Sequence, residues 1–112
     1  SQSGGGVYDY QYIEPVLSST WNKNLYILKN KYKISTSNIE DIMQASLNKI
    51  KETEKKAYLL VDSINKLLES DIDDNDMIQE LITKKNKLVN KVHKISGKFI
   101  DGQLHIINDL TA

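Results

Sequence analysis

Two stretches of this 112-residue chain carry apolar residues at steps of three and four, a spacing that argues for amphipathic helix. The first runs Ile39, Ile42, Met43, Leu47 and Ile50, then Ala57, Leu60, Val61, Ile64, Leu67 and Leu68. The interval KETEKK (51–56) has no apolar residue, yet the stripe resumes in phase after it, which predicts one long helix over about 38–70. The second run is Ile78, Leu81, Leu88, Val92, Ile95, Phe99, Ile106 and Leu110. It keeps to one face at about 100° per residue across Gly97 and Gly102, so a continuous helix is expected from about 77 towards the C-terminus. A shorter stripe, Leu17, Trp21, Leu25, Leu28 and Tyr32, predicts a helix over about 15–33. Pro15 suits its first position, where the missing amide hydrogen would be unpaired anyway.

The junctions carry start signals. In STSNIED, Ser37 is placed to cap the second helix with Glu40 three residues on, a capping box. Before the third helix stands SDIDDNDMIQE (70–80), where acidic residues crowd together. An EF-hand loop counted from Asp71 would find oxygens at Asp73 and Asn75, but its sixth position is Asp76 instead of glycine and its twelfth is Ile82 instead of Glu. The same letters read better as a turn in which Asp76 caps the helix, Gln79 reaches back, and the carboxylates favour the positive helix terminus. No metal or other cofactor is implied.

Short connections make neighbouring helices antiparallel, so the expected fold is all-α: an up-down-up three-helix bundle with one short and two long helices over 15–112. Residues 1–14 read as a flexible or tag-like lead with a Tyr-rich segment. The long helices would span roughly 50 Å and the short one about 28 Å, at 1.5 Å per residue. The first helix can then cover only 39–55 of the second and 95–112 of the third. The Asp71 end is left as a bare pair, with Leu60, Ile64, Leu67, Leu81 and Leu88 partly open to a partner.

Composition narrows the function classes. Fifteen basic and fifteen acidic residues balance, so bulk charge predicts neither a nucleic-acid nor a membrane partner. All fifteen basic residues are Lys, which removes the side chain best suited to bidentate phosphate or base recognition. That bias, with abundant Asn, Ile and Asp, resembles proteins encoded by AT-rich genomes, such as those of malaria parasites. There is no cysteine, hence no disulfide or thiolate metal site. No apolar run approaches the length of a membrane span.

Lys84, Lys87, Lys91, Lys94 and Lys98 form a stripe roughly 100° round the third helix from its apolar face. It reads first as a solvated face compensated by Glu52 and Asp62, and second as a track for an anionic membrane; without Arg or interleaved aromatics, nucleic acid fits it less well. His93 and His105 project from different faces and read as ordinary surface histidines. Trp21 lies in an apolar stripe and reads as core. Tyr8, Tyr10 and Tyr12 are expected either to cap the bundle end or to form a short recognition peptide, and YIEP (12–15) has the shape of a phosphotyrosine motif. No nucleophile-base pairing and no glycine-rich phosphate loop is recognisable, so no enzyme is expected. The function expected is a helical protein-protein interaction module, binding a partner or itself through an apolar helix face. The alternatives are a structural segment of a larger surface or invasion protein and a peripheral membrane binder.

Overall fold

A computed structural model describes residues 9–70 and 74–112. Within them the chain is all-helical, with α1 at Glu14–Asn30, α2 at Ser37–Glu69 and α3 at Asn75–Thr111 and no strand. The molecule is an elongated helical bundle of 60 × 24 × 17 Å in which α2 and α3 pack closely along one another. α3 runs unbroken through Gly97 and Gly102, and a Cβ at either position would meet nothing within 4 Å. Neither glycine is therefore demanded by a close approach.

The core follows the stripes. Leu17 and Trp21 of α1, Met43, Leu47 and Ile50 of α2, and Val92 and Phe99 of α3 form one buried cluster. Trp21 and Phe99 meet edge-on with ring centroids 6.4 Å apart. Removing rings of this size from water contributes roughly 1.5–3 kcal/mol for each side chain. Tyr32, expected in the α1 stripe, lies beyond the helix and is 43% exposed. The reason is local: α1 closes with Tyr32 N donating to Ile27 O and Ile34 N to Leu28 O. This closure uses Lys33 in the left-handed region at φ 56°, a conformation that glycine adopts at lower cost.

Both caps differ from expectation. Thr36, not Ser37, precedes α2; Ser37 is already helical. The Thr36 hydroxyl donates to Glu40 Oε2 at 2.9 Å in place of a reciprocal box, and Lys29 Nζ contacts Glu40 Oε1 at 3.2 Å. These contacts hold the Glu40 carboxyl below its usual range, the Thr36 hydrogen bond first and Lys29 second. At α3 the cap is Asp74, not Asp76: Met77 N donates to Asp74 Oδ1 at 3.0 Å, and Asp76 sits inside the first turn. Asp71 and Asp73, the first and third positions of the cation loop weighed in sequence, lie outside the described residues.

Candidate interaction surface

α1 and the segment before it meet α2 at Glu40, Glu54 and Tyr58, and meet α3 at Phe99, Ile107 and Thr111. Burial is uneven as a result. α2 remains closed at Ala57, Val61 and Ile64, but between Asn75 and Lys91 no residue of α3 is fully buried. Leu60, Leu67, Leu81 and Leu88 are half-buried, as are Ile78, Ile82 and Val89, while Leu68 and Met77 are exposed. Ile64 departs from the expected open seam at 0% exposure. It sits on the face of α2 turned into the helix pair, one turn beyond Val61 and in phase with Ala57, so α3 alone suffices to close over it.

The interval KETEKK, polar in sequence, supplies a buried anchor. Glu54 is fully buried and receives three donors: Tyr10 Oη at 2.6 Å and Ile13 N at 2.8 Å on Oε2, and Glu14 N at 2.9 Å on Oε1. Ile13 at the N-cap of α1 has no side-chain capping bond of its own, so a carboxylate from α2 caps α1 from across the fold. Burial, then the hydrogen bond to Glu54, pushes the Tyr10 hydroxyl well above its usual range and keeps it a donor. Tyr12 packs against Tyr10 edge-on at 5.3 Å and against Tyr58 at 6.0 Å; burial, then its neighbours Tyr58 and Glu54, also raises its hydroxyl. Tyr10, Tyr12 and Ile13 belong to the segment read in sequence as a flexible or tag-like lead whose tyrosines either cap the bundle end or form a recognition peptide; here they pack between α1 and α2, while Tyr8 lies outside the described residues. One signal for Glu54 was present. It stands four after Ile50 and three before Ala57, squarely in the phase of the buried stripe.

The lysine stripe is not compensated as expected. Asp62 pairs with Lys66 one turn away at 3.0 Å, and Glu52 makes no ion pair among the described residues. Lys84 contacts Glu80 at 3.2 Å, whereas Lys87, Lys91, Lys94 and Lys98 are exposed and in no ion pair among those residues. His93 and His105 are both exposed, His105 Nε2 lying 3.2 Å from Asp109 Oδ2. Asn24, Ile27, Leu28 and Tyr32 form a crevice of about 180 Å³ with Ile107 and Thr111, too small for most ligands.

A scan against protein-family models finds no match to this chain, and searches of curated proteins and of solved structures find none either.

Proposed function

We propose that the protein is a non-enzymatic helical interaction module, an up-down-up antiparallel three-helix bundle whose α2–α3 end associates with a second copy of itself. The reversed order of the α1 contacts supports the antiparallel arrangement: Glu14 at the start of α1 lies at Glu54, whereas Lys29 near its end lies at Glu40. The observation that carries the binding reading is the absence of any fully buried residue in α3 from Asn75 to Lys91, although Ile78, Leu81, Ile82, Leu88 and Val89 all stand there. Apolar residues left half-open on a two-helix end are half of a four-helix core. Two such ends meeting about a twofold axis would complete it, and zero net charge removes bulk repulsion between copies.

Sedimentation equilibrium tests this. The parent chain is expected to dimerise, with Leu67→Glu and Leu81→Glu weakening association more than they lower the melting temperature. Ile64→Ala should behave as a core truncation, costing about 2–5 kcal/mol of fold stability. A parent chain that stays monomeric at high concentration would remove the self-association reading.

A further inference from the structure

The α2–α3 pair has a long side turned away from α1, and lysines from both helices gather on it. At about 100° per residue, Lys49 and Lys56 lie about 140–160° round α2 from Lys51 and Glu54, which border α1. Lys84, Lys87, Lys91, Lys94 and Lys98 lie about 140–180° round α3 from Ile107 and about 60–140° from Phe99, the residues that border α1 on that helix, so the stripe turns outward and away from α1. All seven are exposed, and only Lys84 is in an ion pair among the described residues. From Lys84 to Ile100 the sequence holds six lysines and no carboxylate. Glu52 lies between the two α2 lysines in sequence; Asp76, Glu80, Asp101 and Asp109 stand towards the ends of the same side, Glu80 and Asp109 being engaged by Lys84 and His105.

We infer that this side adsorbs to an anionic lipid surface. The molecule is neutral as a whole, so such binding must come from separated charge, and a Debye length of about 8 Å leaves the near face to dominate. The lysines form a two-dimensional array, spaced along each helix in steps of about 10 Å for every seven residues, which fits a plane of headgroups better than one polyanion strand. Lysine is a compact point charge suited to a diffuse anionic surface, and no arginine fork is present to select a phosphate or base. Lys91 and Lys98 stand outside the proposed dimer seam, so the inference does not rest on self-association.

The test is co-sedimentation with phosphatidylcholine vesicles, with and without a one-third share of phosphatidylserine, at low and physiological salt. Binding is expected only to the phosphatidylserine vesicles and should weaken with salt. At about fivefold per lysine, Lys91→Gln with Lys98→Gln should weaken partitioning roughly 25-fold. Lys91→Arg with Lys98→Arg should bind as the parent does, and so should Lys23→Gln with Lys31→Gln away from this side. Absence of vesicle binding at low salt, or equal losses in both glutamine pairs, would overturn the inference. So would binding to heparin or duplex DNA at concentrations where the vesicles are not bound, which would assign the face to a soluble polyanion.

Discussion

Replacing Glu54 with alanine should detach the start of α1 from α2. The carboxylate accepts from Tyr10 Oη, Ile13 N and Glu14 N, and its removal leaves two backbone amides at a helix terminus without these acceptors. A hydrogen bond to a charged group contributes about 1.5–3 kcal/mol and a lost N-cap about 0.5–2 kcal/mol. Against that, alanine relieves the desolvation of a buried carboxylate, and water can reach the freed amides. The net loss expected is about 2–4 kcal/mol, and at about 4 °C for each kcal/mol the melting temperature should fall by roughly 8–16 °C. Glu54→Gln should fall between alanine and the parent. If its amide oxygen keeps Tyr10 and Ile13, its NH₂ group is brought against the Glu14 N–H, donor against donor. Thermal melting gives the global figure. Hydrogen exchange at Ile13 and Glu14 and the fluorescence of Trp21 report whether α1 loosens first. Alanine and glutamine variants that both melt with the parent, with unchanged protection at those two amides, would refute trans-capping as the hold on α1.

Other expectations follow from the backbone and from Tyr10. Gly97→Ala and Gly102→Ala should each stabilise by about 0.5–1 kcal/mol, because both positions are helical and a methyl group meets nothing within 4 Å. Lys33→Gly should raise the melting temperature slightly by relieving the left-handed residue after α1. The Tyr10 hydroxyl holds its proton more tightly folded than unfolded, so its stabilising contribution is complete below about pH 10 and drains away above it. Chemical denaturation should show that alkaline loss reduced in Tyr10→Phe, and in phenolate absorbance Tyr10 should ionise after an ordinary exposed tyrosine.

Much of the core was legible because a helix repeats its face every three to four residues. Trp21, Met43, Leu47, Ile50, Val92 and Phe99 are buried where the stripes placed them. The same periodicity carried α3 through Gly97 and Gly102, since a residue that costs about 1 kcal/mol cannot outweigh a long apolar face held by α2. End positions were less legible. Thr36 took the place of Ser37 and Asp74 that of Asp76, because several neighbouring residues can cap and the choice turns on backbone angles that no spacing encodes.

What the sequence by itself determined is which faces are apolar and that three helices carry them. Only the tertiary structure decided how those faces close. Ile64 and Leu67 look equivalent in the stripe, yet Ile64 turns into the α2–α3 contact and Leu67 remains half-open, a difference set by the direction from which α3 approaches. Glu54 is the sharper case. A carboxylate in the buried phase reads as an interruption until its partners arrive from Tyr10, Ile13 and Glu14, about forty residues away in sequence, and burying it is favourable only because they do.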